Sequence, residues 1–322
     1  MNTYTQSTED NAPWEGLFKG EQTPVFPHDI LKAYREDHDN IRSSPFGNTL
    51  TLDFATAAVE GYRQGQRDQT DFLTINCAST DYVGHKYGPN SIEVEDVYLR
   101  LDKDLETFLN YLDDKIGKGN YLVFLTADHG ASHSVDFLKA HQIPGRLSGV
   151  RKIVQGLNDT LTKITGAKDL VISGTNYYIN FNWEKISRAS LSAESLKKTA
   201  LSYLLHQDGI QYVVDMANIA EANLPPPIQE MVINGYNRKR CGSILLIPEP
   251  GWYDGYDKGT THGTWNPQDT HIPLLFMGWG IKHGALSRQV HMTDIAPTLA
   301  AILHIQVPNG NIGKTIPEVV GN

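Results

Sequence analysis

Two short apolar runs, each followed at once by a turn that carries acidic and imidazole side chains, constrain the fold more than any other feature of this sequence. The first run is DFLTINCA at residues 71–78, and the second is YLVFLTA at residues 121–127. Short, continuous apolar runs are typical of strands that are buried on both faces of a parallel sheet. The pattern therefore predicts two neighbouring parallel strands with polar turns at their carboxyl ends.

A long amphipathic helix is predicted between the two runs. Ser91 has the side chain of a helix N-cap, and apolar residues follow at helical spacing until two glycines close the pattern. These positions are Val97, Leu101, Leu105, Phe108, Leu109, Leu112, Gly117 and Gly119. Strand, helix and strand form a right-handed βαβ unit, and ligands bind at the carboxyl edge of such sheets. Another helix is predicted from Asn48, with Asn48 or Thr49 as its cap.

Three turns place five potential metal ligands at this edge. In chain order they are Asp81, His85, Asp128, His129 and His262. Carboxylate oxygen and imidazole nitrogen suit zinc, and a catalytic zinc ion takes three protein ligands while one position stays open. Five ligands exceed one such site. Two metals about 4 Å apart can instead hold the attacking and leaving oxygens of a phosphoryl transfer.

The hypothesis of a metal site depends on the three turns occurring together. Asp81 with His85 alone would more often be an ordinary polar loop, whereas Gly263 after His262 allows backbone and metal to approach closely. We interpret His133 as a residue that supports a ligand rather than as a further ligand. A group of other histidines is interpreted as solvated surface: His28, His38, His141 and His206.

Composition limits the partners. Lys and Arg number 28 against 37 Asp and Glu, so a formal charge of -9 argues against a nucleic-acid interface. A phosphate substrate would then need a local positive charge, which bound metal supplies. Cys77 and Cys241 allow at most one disulfide. No run of 18 apolar residues and no charged-then-apolar leader is visible, so neither a transmembrane segment nor a signal peptide is expected in this chain.

The order of segments predicts a core interrupted by an insert. Residues 1–47 are interpreted as an irregular connecting segment. Residues 48–134 and 241–322 are interpreted as a metal-binding α/β core that is incomplete at its N-terminal side. Residues 135–240 contain alternating and helical patterns and are interpreted as an inserted α+β subdomain.

Four strings in this order resemble the alkaline phosphatase superfamily, and most closely the bacterial phosphate-irrepressible alkaline phosphatases. They are STDYVGHKYGP at 79–89, TADHG at 126–130, THG at 261–263 and TDIAPTLAAIL at 293–303. The resemblance spans about residue 20 to the C-terminus. It implies an alkaline phosphatase-like α/β fold, with a mainly parallel sheet sandwiched by helices and a smaller inserted α+β subdomain.

The resemblance also implies roles for the five ligands. Asp81, His85 and His262 would hold one zinc ion, and Asp128 and His129 would contribute to a second. The family's further aspartate ligand has no counterpart in the matched sequence. Its nucleophilic serine or threonine, and the asparagine, lysine and arginine around the phosphate, are expected upstream, so no catalytic residue is identified here.

The implied function is a zinc-dependent phosphomonoester hydrolase that forms a covalent phospho-enzyme with small-molecule phosphate esters. The chain by itself is predicted to bind one zinc ion well and a second poorly, and to hydrolyse such esters weakly or not at all. Two alternatives remain open: a phosphodiesterase or nucleotide pyrophosphatase of the same superfamily, and a non-catalytic metal-binding fragment. Thr80 before the first aspartate and Ala127 before the second favour the monoesterase.

Two further expectations concern location and assembly. The resemblance implies a periplasmic or secreted protein. An uncovered edge of the sheet predicts self-association, because unpaired strand edges and exposed apolar surface both favour it.

Overall fold

Helices account for most of the regular structure in the computed structural model, which describes residues 4–320. Within these residues the α-helices are α1 Ile30–Glu36, α2 Phe46–Tyr62, α3 Ser79–Tyr87, α4 Ile92–Leu112, α5 Val135–Ala140, α6 Val150–Thr165, α7 Trp183–Arg188, α8 Ala193–Leu204, α9 Pro226–Gly235, α10 Pro267–Thr270, α11 Ile295–Ile302 and α12 Pro317–Val320. In this part of the chain, none of them combines the length and the apolar character that crossing a membrane requires.

The strands form three separate sheets among the same residues. They are β1 Leu122–Thr126, β2 Arg146–Leu147, β3 Val171–Ser173, β4 Tyr178–Phe181, β5 Ile210–Asp215, β6 Ile244–Pro248, β7 Trp252–Tyr253 and β8 Leu274–Gly278. β1 pairs with β8 in antiparallel register, so that Leu122 lies opposite Gly278. The largest sheet has the antiparallel order β3-β4-β6-β5, and β2 with β7 is a short parallel pair.

The predicted parallel βαβ unit is wrong for this part of the chain, although β1 and the following polar turn are confirmed. Residues 72–78 have no regular secondary structure. A strand needs a neighbouring backbone to complete its hydrogen bonds, and none of the strands within residues 4–320 pairs with this run. The mixture of helices and sheets agrees with an α/β class, but the long ladders described here are antiparallel.

Two helices around the first apolar run show how side-chain caps set the local structure. Ser91 caps α4 as predicted, because its Oγ accepts a hydrogen bond of 3.3 Å from the Val94 N–H. α2 begins at Phe46, so Asn48 lies inside the helix and does not cap it. The buried Asn48 side chain instead accepts a hydrogen bond of 3.1 Å from the Ser79 N–H and so caps α3.

The largest buried cluster lies between the four-stranded sheet and helices α6 and α8. In α6 the buried positions are Val150, Ile153, Leu157 and Leu161, which follow the three- and four-residue spacing of one helix face. The predicted domain division stays a prediction. We adjust one of its boundaries, because β6 pairs with both β4 and β5, and place the end of the proposed insert after Pro248 and not after residue 240.

The N-terminal segment packs more closely than a connecting segment would. Residues 4–29 contain no helix or strand, but α1 and a 3-10 helix at His38–Ser43 follow them. Trp14, Glu15 and Phe18 are buried. Part of this segment therefore belongs to the core around α3.

Candidate metal centre

Helix α3 places the first two predicted ligands on one face. The string that reads as a loop is helical from Ser79 to Tyr87, and Gly88 ends it with a positive φ of 87°. Side chains four residues apart lie over one another on a helix, and His85 Nε2 is 3.4 Å from Asp81 Oδ2. The expectation of a polar loop is therefore wrong, although the spacing it was based on brings both groups together.

Strand β1 delivers the second pair of predicted ligands. Asp128 and His129 follow the strand directly, and His129 Nδ1 lies 2.8 Å from the Gly130 carbonyl oxygen. His129 Nε2 therefore faces the carboxylates, at 4.0 Å from Asp81 Oδ1 and 3.6 Å from Asp128 Oδ2. The Asp128 side chain is 77% exposed, so it lies at the open side of the group.

The third predicted turn joins this group. His262 Nε2 lies 3.6 Å from Asp81 Oδ1, and its ring stacks on that of His129 with the centroids 3.3 Å apart. Gly263 has a φ of 102°, a conformation that glycine adopts most readily. All five predicted ligands thus lie in one neighbourhood. One oxygen of Asp81 and one ring nitrogen each of His85 and His262 lie within 4.8 Å of one another.

The imidazole rings present their free nitrogens to Asp81. His85 Nδ1 lies 2.8 Å from the Thr260 carbonyl oxygen, an arrangement in which Nδ1 carries the proton and Nε2 has a free lone pair. Burial, then His129, lower the pKa of His262; Asp81 opposes this and His85 adds to it, with a net lowering. A neutral imidazole is the form that binds metal. The separations of 3.4–4.0 Å from Asp81 are too long for good hydrogen bonds.

Asp269 holds two of the ligand-bearing turns together, and the sequence alone gave no sign of it. Its buried carboxylate accepts hydrogen bonds of 2.7 Å from both the N–H and the hydroxyl of Thr264, and one of 3.3 Å from Ser132 Oγ. The Gly130 N–H also donates to the Asp269 carbonyl at 2.7 Å. Because Ser132 lies 137 residues away in the chain, no local pattern could reveal this link.

Two histidines outside the group differ in how well the sequence placed them. His133 Nδ1 lies 2.6 Å from Asn90 Oδ1, and its ring stacks on Phe137; its role in supporting a ligand stays a prediction. His28 was expected on the solvated surface, and this is wrong, because only 3% of its side chain is exposed. Its two ring nitrogens face Glu21 and Glu93.

Comparison with known proteins finds related sequences along most of the chain. The sequence model of the type I phosphodiesterase / nucleotide pyrophosphatase family matches residues 4–272. Alkaline phosphatase PafA of Elizabethkingia meningoseptica is 50% identical over 323 residues, which is 100% of this chain and 59% of that protein. Alkaline phosphatase PhoV of Synechococcus elongatus is 45% identical over 322 residues, which is 99% of this chain and 58% of that protein.

The solved structures give the same relationship at the level of the fold. The crystal structure of wild-type alkaline phosphatase PafA matches with a TM-score of 0.96 at 49% identity, over 99% of this chain and 61% of that one. The chain thus spans about three fifths of the length of these relatives, and the alkaline phosphatase-like α/β fold is confirmed. The chain belongs to the type I phosphodiesterase / nucleotide pyrophosphatase family, within the alkaline phosphatase superfamily.

Proposed function

We propose that this chain supplies most of the two-metal site of a zinc-dependent phosphomonoester hydrolase of the alkaline phosphatase type. One observation carries the proposal: donor atoms of Asp81, His85 and His262 lie within 4.8 Å of one another. Membership of a phosphoesterase family supports it. Small-molecule phosphate esters are the proposed substrates, since the relatives named above are called alkaline phosphatases.

The donor atoms fit zinc in type and in spacing. One carboxylate oxygen and two imidazole nitrogens leave a fourth position open, as in catalytic zinc sites. Ligand atoms bound at about 2.1 Å in a tetrahedron are roughly 3.4 Å apart. The two ring nitrogens lie at similar distances from the two oxygens of Asp81, with His85 Nε2 3.4 Å from Oδ2 and His262 Nε2 3.6 Å from Oδ1. A bound zinc ion supplies Lewis-acid stabilisation of negative charge and lowers the pKa of bound water.

The chain's own residues orient these groups before any ion binds. The Thr260 carbonyl fixes the ring of His85, while Asp269 ties the turn after β1 to the turn that carries His262. Such fixed partners are what makes a metal site selective and tight. The side chain of Asp81 is 35% exposed, so a substrate oxygen can approach from the solvent side.

We propose that a second metal binds more weakly near Asp128 and His129. The 77% exposure of Asp128 supports this, because a solvated, mobile ligand loses more freedom on binding. Within residues 4–320, Asp81, His85 and His262 are the only three acidic, histidine or cysteine residues whose donor atoms all lie within 4.8 Å of one another. Because a two-metal mechanism needs both ions, weak binding of the second one leads us to propose that the chain by itself hydrolyses phosphate esters weakly or not at all.

Phosphodiester hydrolysis is the second candidate function. It is supported by the name of the matching family, type I phosphodiesterase / nucleotide pyrophosphatase. Thr80 and Ala127, which precede the two aspartates, favour the monoesterase, as in the resemblance described above. The preference is tested by comparing turnover of an aryl phosphate monoester with that of its bis-aryl diester.

A periplasmic or secreted location and self-association are further proposals. The β1–β8 pair supports self-association, because Leu125, Leu275 and Met277 lie on one of its faces and are exposed, and apolar faces of this kind favour contact between molecules. Sedimentation velocity tests it: the wild-type chain should associate as its concentration rises, and Leu275→Lys should shift it toward the monomer. A wild-type chain that stays monomeric would contradict it.

A zinc titration of the metal-free chain tests the central proposal. We expect one tightly bound equivalent and a second, weaker one. Asp81→Asn should remove the tight equivalent, whereas His283→Asn, a change to an exposed histidine, should keep it. A wild-type chain that binds no zinc, or an Asp81→Asn variant that binds it equally well, would overturn the proposal.

A further inference from the structure

A second cluster of imidazole and carboxylate groups lies behind helix α3, and the proposed metal site does not use it. We call Glu21, His28 and Glu93 the rear cluster. His28 Nδ1 lies 2.8 Å from Glu21 Oε1, and His28 Nε2 lies 2.9 Å from Glu93 Oε1. The side chains of His28 and Glu93 are only 3% and 5% exposed. Both ring nitrogens are therefore within hydrogen-bond distance of carboxylates, out of contact with bulk water.

The rear cluster is a charged clamp between two segments that are far apart in the chain. A histidine with carboxylates at both nitrogens donates two hydrogen bonds and is an imidazolium. Burial lowers the pKa of His28, but the hydrogen bonds to Glu93 and Glu21 outweigh it and the net pKa is raised. Glu93 lies in the first turn of α4, where the helix dipole favours a negative charge. The clamp joins the N-terminal segment to the start of α4.

The rear cluster contacts the C-terminal end of α3. The His28 ring packs against Tyr87, with centroids 4.9 Å apart, and Tyr87 is two residues after His85. The Phe18 ring packs against both His28 and Tyr87, and the Lys86 ammonium lies 3.4 Å from the centre of that ring. A shift of His28 would therefore move the turn of α3 that carries His85.

Main-chain hydrogen bonds extend this link to the turn that carries His262. The Gly16 N–H donates to the Lys86 carbonyl at 2.8 Å, and the Gly259 N–H donates to the Trp14 carbonyl at 2.6 Å. The Thr260 N–H donates to the His85 carbonyl at 3.0 Å. A side chain at residue 259 would collide with the His85 carbonyl oxygen. Residues 14–16 thus lie between the end of α3 and the 259–260 turn, and contact both.

We propose that His28 is a positioning residue: through the rear cluster it holds the N-terminal segment, and through that segment it sets the separation of His85 and His262. The inference rests on the proposed metal site. It goes beyond that site because His28 itself touches neither the ion nor a substrate. The pathway is a chain of direct contacts: His28 packs on Tyr87, Gly16 and Trp14 bond to the main chain of Lys86 and Gly259, and Thr260 bonds to His85.

Metal affinity and the spectrum of bound cobalt test this proposal in the full chain. His28→Gln keeps a polar side chain but removes the charge, and its donors all lie on one nitrogen, so it cannot donate to both Glu21 and Glu93 as the two ring nitrogens do. It should raise the zinc dissociation constant about 10- to 100-fold, the range found when groups that orient metal ligands are removed. It should also change the visible absorption bands of the cobalt-substituted protein. Glu21→Gln is a milder change, because the Glu21 side chain is 22% exposed. It should raise the constant roughly 3- to 10-fold, and it tests the proposal if His28→Gln does not fold.

Asp215→Asn is the matched control. The Asp215–Lys197 pair is also largely buried, with 2.7 Å between Oδ2 and Nζ, but belongs to the region of β5 and α8. It should lower the melting temperature while the zinc dissociation constant and cobalt bands stay those of wild type. Folded His28→Gln and Glu21→Gln proteins with wild-type affinity and bands would overturn the inference and leave the metal site intact. A wild-type chain that binds no zinc would overturn the proposed function as well, and so distinguishes the two failures.

Discussion

Helix α3 lies between two clusters of histidine and carboxylate, and the spacing within each cluster gives it different chemistry. We call Asp81 with the three rings near it, His85, His129 and His262, the front cluster. Positions 81 and 85 lie roughly 200° around the helix from the buried positions 83 and 87, which face the rear cluster. In the front cluster the separations from Asp81 are 3.4–4.0 Å, whereas in the rear cluster they are 2.8–2.9 Å.

The difference shows that distance and burial, more than residue type, decide what such a cluster holds. At 2.8–2.9 Å each rear contact is a complete hydrogen bond, and a proton on His28 satisfies the two carboxylates. At 3.4–4.0 Å the front groups cannot satisfy one another, and their half-exposed donors leave room for an ion of zinc's size. We therefore expect the front cluster to bind the metal directly, and the rear cluster to stabilise the fold and to affect metal binding only through the position of the front ligands.

The largest expected effect is on stability in the rear cluster. His28→Ala removes the imidazolium from the buried carboxylate of Glu93 and from the partly exposed one of Glu21, and breaking a buried ion pair typically costs about 3–5 kcal/mol of the free energy of unfolding. Asp81→Ala in the half-exposed front cluster should change it by less than about 0.5 kcal/mol in metal-free protein. Urea denaturation with a chelator present measures both. If His28→Ala and Asp81→Ala lower the free energy of unfolding equally, the two clusters do not differ in their contribution to stability.

A smaller effect should appear in the pH dependence of stability near the rear cluster. Burial, with the nearby charge of Glu93, raises the pKa of Glu15 from 4.5 to about 7. An acid whose pKa is raised by folding contributes stability below its unfolded value and loses it as the pH rises through the folded value. The raised pKa of His28 acts in the same direction. Stability of the metal-free chain should thus fall by roughly 2 kcal/mol between pH 5 and 8.

Substitution at position 15 sharpens this prediction. Glu15→Gln keeps an acceptor for the Ala12 N–H but cannot ionise, so its melting temperature should vary less with pH than that of wild type. Glu9→Gln, at an exposed carboxyl, is the control and should follow the wild-type curve. Parallel curves for wild type and Glu15→Gln would show that ionisation of Glu15 does not govern this window.

The smallest expected effect lies at the edge of the front cluster. Asp128 is mostly exposed, and its carboxylate is 3.6 Å from His129 but belongs outside the group formed by Asp81, His85 and His262. Asp128→Asn should therefore change the dissociation constant of the tight zinc ion by less than about threefold and weaken mainly the second. Isothermal titration separates the two. If Asp128→Asn loses the tightly bound ion, Asp128 is one of its direct ligands, and the two metal sites proposed above are not separate.

The sequence reveals the front cluster because its signals are local. Asp81 and His85 are four residues apart, and Asp128 follows an apolar run directly, so short-range pattern was enough to select them. The rear cluster gave no such signal. His28 and Glu93 are 65 residues apart, and His28 lies in a polar, proline-containing segment that is typical of solvated surface. Its burial depends on long-range packing that no local pattern encodes.

The same limit explains the error in the sheet. The run at 71–78 has the composition of a buried strand, but strand formation also needs a neighbouring backbone, and the described residues provide none for it. β1 satisfies this condition by pairing with β8, in which Leu274 lies opposite Thr126 although the two are far apart in the chain. Composition thus predicts which runs can be strands, whereas their partners and direction come from tertiary contacts.

X-ray absorption at the zinc edge, with one equivalent of zinc bound, identifies the atoms that bind the ion and so tests whether Asp81, His85 and His262 are its ligands. We expect two imidazole nitrogens at about 2.0–2.1 Å and a carboxylate oxygen at about 2.0–2.2 Å, with no sulfur, and loss of the imidazole signal from one ring in His85→Ala. A sulfur neighbour at about 2.3 Å, or a spectrum that His85→Ala leaves unchanged, would place the ion elsewhere and contradict the account.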